Sequence, residues 1–321
     1  MTKNRVLIDV HTHIASPPAV KKMKERGLML PPILSEWSPG MHLEHMDSAG
    51  ITMAVLSSPA APAFLDRPQA SAVVREMNEH FARLVQDEPT RFGAFATLPM
   101  PSVEDSVRET VHALDTLKLD GVAFQSSYEG KYLSHPDYEE LLQELNRRRA
   151  VVFIHPILIK ETIAGLHPAL LEGTFDTTRN VTAMAEHRIF DRFPDIRFIF
   201  PHTGGMVPYI MWRIASNAIK ARIGDEYEAT EELYAAEIAK LERLYYDTAL
   251  NPGPLPKLIR PSQILFGSDI PFPSKSVLKY QVRAIEALSE ELGEESVQAI
   301  ASENALGLFP RLKQLFVTNL L

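Results

Sequence analysis

The 321-residue chain is predicted to be an α/β protein, a slightly distorted (β/α)8 barrel with a short lid-like insertion after its first strand. Three observations point there. Eight short apolar runs recur along the chain, and helix-like stretches lie between most of them. Four of the runs end in a residue able to bind a metal, in the order His-x-His, His, His, Asp. Runs that are apolar almost throughout, instead of alternating, suit strands covered on both faces, and such strands are typically parallel. Parallel strands share one carboxyl edge, so residues distant in sequence meet there.

The first run, Val6 to Val10, leads straight into His11-Thr12-His13. The others cover residues 53–57, 92–97, 121–124, 151–154, 197–200, 244–247 and 264–267. Helices are expected over 70–87, 103–117, 137–149, 178–192 and 277–291, where apolar residues recur at helical spacing. Start signals agree: Pro101-Ser102 opens the third helix, Ser134-His135-Pro136-Asp137 the fourth, and Ser274 the last long one. Residues 14–41 break the rhythm. They carry Pro17, Pro18, Pro31, Pro32 and Pro39 and lack clear periodicity, so they are expected to form a lid loop that covers or shapes the active site. Trp37 within it either reaches the substrate or anchors the loop to the barrel. The expected organisation is one barrel domain over 1–321 with 14–41 as its insertion.

Composition bounds the partners. With 45% hydrophobic and 23% charged residues the chain can bury a large core. Lys plus Arg (33) against Asp plus Glu (41) leaves a net charge of −8, and the one compact basic cluster, Arg147-Arg148-Arg149, closes a predicted helix where cations complement the dipole. Nucleic acid is therefore not an expected partner. The absence of cysteine excludes disulfides, thiolate ligands and a cysteine nucleophile, leaving His and carboxylates as metal ligands. No run approaches the roughly 18 consecutive apolar residues of a membrane span and no secretory leader precedes Val10, so a soluble, cytoplasmic protein is expected.

Alternate residues of an extended segment point the same way, so His11 and His13 can present two imidazoles to one ion. A lone His-x-His also occurs as paired exposed histidines with no ligand role. His155 and His202 each follow a strand directly and each is flanked by Pro; the bland alternative is a core histidine bonded at both nitrogens. Asp269, in Phe266-Gly267-Ser268-Asp269-Ile270-Pro271-Phe272, completes the set, its alternative being a turn or helix cap. We assign His11, His13, His155 and Asp269 as ligands, with His202 handling a proton beside the ion. Zn²⁺ is favoured, with Mn²⁺ or Fe²⁺ open because of the carboxylate. The fourth strand ends in Phe124-Gln125-Ser126, without a bridging Lys or Glu, which points to one ion; Glu129 and Lys131 lie a little further on. Asp247 is either a support for a ligand or a turn residue.

These residues resemble the amidohydrolase superfamily: the His-x-His after strand one, Phe153-Ile154-His155-Pro156, the stretch from Phe190-Asp191-Arg192-Phe193-Pro194 to His202-Thr203-Gly204-Gly205, and Gly267-Ser268-Asp269-Ile270-Pro271-Phe272. More narrowly they resemble its aminocarboxymuconate semialdehyde decarboxylase branch, with Met46-Asp47, Arg91 to Pro99 and Asn304-Ala305 extending the likeness. Glu36-Trp37-Ser38-Pro39-Gly40, Ala113 to Val122 and Asp176-Thr177-Thr178-Arg179 resemble 6-methylsalicylate decarboxylases. The resemblance implies a mononuclear metal on the ligands above and a catalytic His202. It further implies a homodimer in which Arg213 serves the neighbouring subunit's site, and Phe272 packing on substrate. Two departures stand out: Gly205 replaces a Glu found in the branch acting on 2,6-dihydroxybenzoates, and the Arg that binds a substrate carboxylate before the Met-Asp pair is missing, with His42 near its place.

The function expected is metal-dependent, non-oxidative decarboxylation of a 2-hydroxybenzoate-type acid, 6-methylsalicylate-like, with His202 or Asp269 delivering a proton to the ring carbon. The alternative within enzymes is metal-dependent hydrolysis of a lactone, amide or carbon-carbon bond. A binding protein that keeps the barrel and its ligands is the alternative from another class. Burying several polar ligands for no chemical benefit is costly and argues against it.

Overall fold

The computed structural model describes residues 5–58, 64–157, 165–224, 228, 230–250, 253 and 255–318. Eight strands, β1 (Ile8–His13), β2 (Met53–Ser57), β3 (Phe92–Thr97), β4 (Gly121–Gln125), β5 (Val151–His155), β6 (Arg197–Phe200), β7 (Tyr245–Asp247) and β8 (Ile264–Leu265), lie in sequence order in one sheet. Every neighbouring pair is parallel. The first and last strands meet: Val10 N–H donates to Phe266 C=O at 3.0 Å, Asp269 N–H to His11 C=O at 2.9 Å and His13 N–H to Ile270 C=O at 2.6 Å. Sequential parallel strands joined at their edges make the (β/α)8 barrel expected from the apolar runs, and each run coincides with a strand.

The helices are α1 (Pro17–Glu25), α2 (Pro32–Ser35), α3 (Pro39–Ala49), α4 (Arg67–Asp87), α5 (Val103–Val111), α6 (Glu139–Arg147), α7 (Pro168–Glu186), α8 (Ile189–Arg192), α9 (Val207–Ile223), α10 (Glu231–Glu242) and α11 (Lys275–Ala287), followed by shorter terminal helices. Ser274 caps α11 by accepting from Val277 N–H, as its position predicts. Helix α7 starts at Pro168, ten residues before the predicted 178, because His167 caps it and Pro168 sits in its first turn. Its apolar residues Leu170, Leu171 and Phe175 are exposed, which blurs the period that would have marked that turn in sequence. Segment 14–41, expected as loop, holds α1, α2 and the start of α3. Each begins with proline at a position where the missing N–H costs nothing, so prolines read as breakers are helix starts. The Arg147 to Arg149 cluster is structural: Arg147 and Arg148 pair with Glu144, and Arg148 also with Asp115.

Strand alternation divides the core in two. Outward residues such as Ala54, Leu56, Ala94, Val122, Val152 and Phe198 pack under the helices. Ile8, Val10, Met53, Val55, Phe95, Val151, Phe153, Ile199 and Leu265 fill the barrel, which Ala305, Leu308, Phe309 and Leu312 plug at its amino end. Phe95 stacks on Phe153 at 5.5 Å and meets Phe309 edge-on at 5.8 Å. With the amino end sealed, the carboxyl end is the open mouth. Phe309→Ala leaves a void in that plug, and we expect it to lower unfolding free energy by about 3–5 kcal/mol, read from the denaturant midpoint.

Candidate active site and metal centre

Strict alternation cannot place Ile8, Val10, His11 and His13 all inside the barrel, yet they are. The pairing of β1 with β2 runs Ile8 with Met53 and Asp9 with Ala54, then Thr12 with Leu56 and His13 with Ser57, so β1 carries one extra residue between Asp9 and Thr12. This bulge reverses the parity halfway along the strand, turning core residues inward below it and both histidines inward above it. Asp9, fully buried, stabilises the bulge: its Oδ1 accepts from His11 N–H and Ser268 N–H, both at 3.0 Å. Thr12 turns outward and donates its hydroxyl to Val55 C=O at 3.2 Å.

The ring nitrogens Nδ1 of the three strand histidines are all engaged. His11 Nδ1–H donates to Asp247 Oδ2 at 2.8 Å, and His155 Nδ1–H to Pro156 C=O at 2.9 Å. The Ser57 hydroxyl donates to Thr12 C=O, so its oxygen accepts from His13 Nδ1–H at 3.2 Å. Each imidazole therefore keeps its lone pair on Nε2, and these converge. His11 Nε2 and His13 Nε2 are 3.0 Å apart, and Asp269 Oδ1 is 3.2 and 3.1 Å from them. With His155 the four ligand atoms all lie within 4.8 Å of one another. Asp269 Oδ1 is buried without a hydrogen bond among the described residues. Three lone pairs and a carboxylate oxygen facing each other need a cation, and this donor set, backed by a second ring of acceptors on Nδ1, fits a single divalent ion.

The charge balance agrees. Burial pushes His13 below its ordinary value and, with repulsion from His13 and His11, holds His155 well below it. Burial also works against charge on His11, but attraction to Asp247 and Asp269 outweighs it and pushes that group up to about 10, so that a proton on its Nε2 takes the place a cation would otherwise fill. Burial would raise Asp269, yet the charge on His11 and the close approach of the His11, His13 and His202 rings hold its carboxyl well below the carboxylate range. The centre of the cluster favours positive charge.

His202 stands beside this set. Its Nε2 is 3.6 Å from Asp269 Oδ2, its ring is 4.9 Å from that of His11, and its side chain keeps 17% exposure. It belongs to a run in left-handed conformation, with φ of +52° at His202 and +59° at Thr203; Asp269 has φ +67°. Non-glycine residues in that region are held by their surroundings, here at two positions of the cluster. Asp247 settles into both of its open roles: besides supporting His11 it accepts from His202 N–H and Ala249 N–H, both at 2.9 Å. At Gly205, φ +62°, a Cβ would lie 2.2 Å from Thr174 C=O, so helix α7 packs directly on this loop and leaves no room for an acid.

The remaining predicted residues divide. Phe272 is at the mouth, its ring 5.5 Å from that of His13 and 45% exposed. Trp37 donates its indole N–H to His42 Nδ1 at 3.1 Å and packs on the outer core, an anchoring arrangement. It also lines a groove of about 410 Å³ with Ala15 and Ser35. Burial pushes His42 down to about 3, so it is no charged stand-in for the missing Arg. Arg213 is exposed on α9. Lys131 pairs with Asp137 at 2.6 Å on an exposed hairpin. Asp9, Ser57 and Asp176 were missed. Asp176 on α7 accepts from the Ser126 hydroxyl, from Tyr132 OH at 2.9 Å and from Ile157 N–H at 3.1 Å, tying the segments after β4 and β5 together. Its only signal in sequence was the Asp176-Thr177-Thr178-Arg179 stretch.

A buried cluster of three histidines and an aspartate at the mouth of a (β/α)8 barrel defines a metal-centred barrel of the hydrolase and lyase type. The chain matches the family described as Amidohydrolase over residues 8–311 and belongs to it. It is 32% identical to decarboxylase yanB of Aspergillus niger over 334 residues, covering 95% of this chain and 88% of that protein. It is 31% identical to the 6-methylsalicylic acid decarboxylase of Penicillium expansum, covering 95% and 97%. Among solved structures it superposes on a dihydroxybenzoic acid decarboxylase from a Polaromonas species, holding manganese and 2-nitroresorcinol, with TM-score 0.77 and 22% identity over 95% of this chain and 97% of that one.

Asp247→Asn should weaken metal affinity about 10- to 100-fold, because whichever way the amide turns an NH₂ faces an N–H donor. Competition with a chelator measures this, and unchanged affinity would remove Asp247 from the support of the site.

Proposed function

We propose that the chain is a metal-dependent carboxy-lyase that removes CO₂ without oxidation from a 2-hydroxybenzoate-type acid of the 6-methylsalicylate kind. One observation carries the reading: three Nε2 lone pairs and the buried Asp269 Oδ1 meet at the open end of the barrel, beside a partly exposed histidine. Alignment with decarboxylases over nearly the whole chain supports it.

His11, His13, His155 and Asp269 would hold one divalent ion, with Zn²⁺ favoured by three imidazoles and Mn²⁺ compatible with the carboxylate. When bound, the ion supplies Lewis acidity that stabilises negative charge on the phenolic and carboxylate oxygens. Direct loss of CO₂ would leave an aryl carbanion, so the ring carbon bearing the carboxylate is protonated first. His202 is placed to do this, since its Nε2 reaches Asp269 while its ring stays partly open to the mouth. The proton goes from His202 to that carbon, directly or by way of the Asp269 carboxylate that its Nε2 faces. The electrons of the breaking carbon-carbon bond then return to the ring as CO₂ departs, and solvent restores the proton. Phe272 offers an aromatic face at the mouth. Trp37, which His42 anchors, would be the residue by which segment 14–41 meets the substrate.

A homodimer belongs to the same reading. Leu170 and Phe175 on α7, and Tyr209 and Trp212 on α9, are exposed large apolar residues on helices that pack together, and Arg213 is next to Trp212. Aromatic residues with Arg are what protein interfaces favour.

With a salicylate panel in D₂O we expect CO₂ and a product carrying deuterium at the vacated carbon; a hydrolase would yield neither. His202→Ala should keep its metal while turnover falls about a hundredfold or more, and undiminished turnover rejects the proton role. If Arg213 acts across a dimer, mixing inactive R213A and H202A chains restores about a quarter of wild-type activity through one intact site per mixed dimer. Absence of recovery, or a monomer in sedimentation, rejects the shared site.

A further inference from the structure

The inward residues ending the barrel strands are not uniform around the mouth. Ligand-type side chains come from β1, β5 and β8, whereas β2, β3 and β4 end in Ser57, Thr97 and Gln125, all neutral and hydrogen-bonding. Register sets this arc: Ser57 pairs with His13, Thr97 with Ala123, and Gln125 with His155. Between the arc and the two ligand histidines lies a void with about 10 Å³ of free space for the centre of a water-sized group, enough for one heavy atom. Its apolar walls include Phe124, Phe153 and Tyr128.

Two hydroxyls line this void without hydrogen-bond partners among the described residues. Thr97 is 4% exposed and its Oγ1 has no hydrogen bond; Ser58 Oγ is likewise buried and unpartnered. Native proteins rarely leave buried hydroxyls in that state. The Thr97 backbone, in contrast, is clamped at both ends. Buried Asn78 on α4 accepts from Thr97 N–H and donates to Thr97 C=O, both at 2.9 Å, and Asn78 is held by Glu109 at 2.8 Å, which Arg75 holds in turn. A hydroxyl aimed by so rigid a support, next to two ligand rings, is preorganised for something that arrives.

We propose that this niche is a substrate subsite in which Thr97 Oγ1, with Ser58, binds a single hydroxyl substituent on the ring of the aromatic acid. A carboxylate is too large for a one-atom void and would find no Lys or Arg in its lining. A methyl group fits by size but leaves both hydroxyls unpaired, and sites built to hydrogen-bond a substrate hydroxyl reject the analogue that lacks it. The niche therefore selects a hydroxyl over a methyl at the one ring position that reaches it, a position other than that of the methyl group in an acid of the 6-methylsalicylate kind. The inference rests on the decarboxylase reading for its substrate class.

The test uses two isosteric pairs, 2,6-dihydroxybenzoate against 6-methylsalicylate and 2,3-dihydroxybenzoate against 3-methylsalicylate, with metal-loaded enzyme. In at least one pair kcat/KM should favour the hydroxyl by about tenfold or more, and Thr97→Val should cut that ratio by about tenfold, with Ser58→Ala acting the same way. Thr97→Val removes no protein hydrogen bond, and its melting curve checks the fold; Ser58→Ala carries the test if that variant fails to fold. Ratios unchanged in both variants, as for a niche holding only a structural water, overturn the proposal, as does a wild-type preference for methyl in both pairs. If none of the four acids is decarboxylated, the functional reading fails. Calorimetric affinities of the same acids for wild type and Thr97→Val then decide the niche separately.

Discussion

The structure turns on a concentration of unprotonated acceptors at one point. Nature seldom buries three imidazole lone pairs and a carboxylate oxygen face to face, because each repels the next and none can be satisfied by water. Here they are forced together by the closure of the barrel, with the ligand of β8 hydrogen-bonded through its backbone to that of β1. The surroundings make sense as a frame for this cluster. Asp247, Ser57 and Pro156 take the outer nitrogens, and Asp9 stabilises the bulge that aims His11 and His13.

Rigidity around the mouth comes from polar clamps reaching inward from the helices. Asn78 grips Thr97 from α4, and Asp176 grips the segments that follow β4 and β5 from α7. Each clamp is a buried side chain with its hydrogen-bonding capacity spent on backbone or on another side chain, so the positions it sets are held without depending on loops. The same economy applies where α7 meets the turn after β6: Gly205 lets a helix carbonyl come within reach of the chain and keeps His202 against Asp269.

Much of this was legible in sequence because apolar runs and their terminal residues are local signals. Each run is a strand, and each residue able to bind a metal that is written at a run's end reaches the mouth. Segment 14–41 was less legible, since proline marks a helix start as readily as a break and only neighbouring packing tells them apart. Helix α7 was read short because its first turns expose Leu170, Leu171 and Phe175 instead of hiding them. Asp9, Ser57 and Asp176 carried no periodic signal; an acidic or hydroxyl residue gains its meaning from the partner placed opposite, which lies up to 259 residues away for Asp9 and Ser268.

The amino-acid sequence by itself determined the barrel, the order of its strands and the identities of the groups at their carboxyl ends, because periodicity and residue chemistry are properties of short segments. Tertiary structure alone decided how those groups are aimed. A one-residue bulge in β1 sets the parity of two candidate ligands, three acceptors choose which nitrogen of each histidine faces inward, and strand register divides the mouth into a charged half and a neutral half. None of these follows from a segment taken alone, since each is a relation between chains of atoms that only folding brings within hydrogen-bond distance.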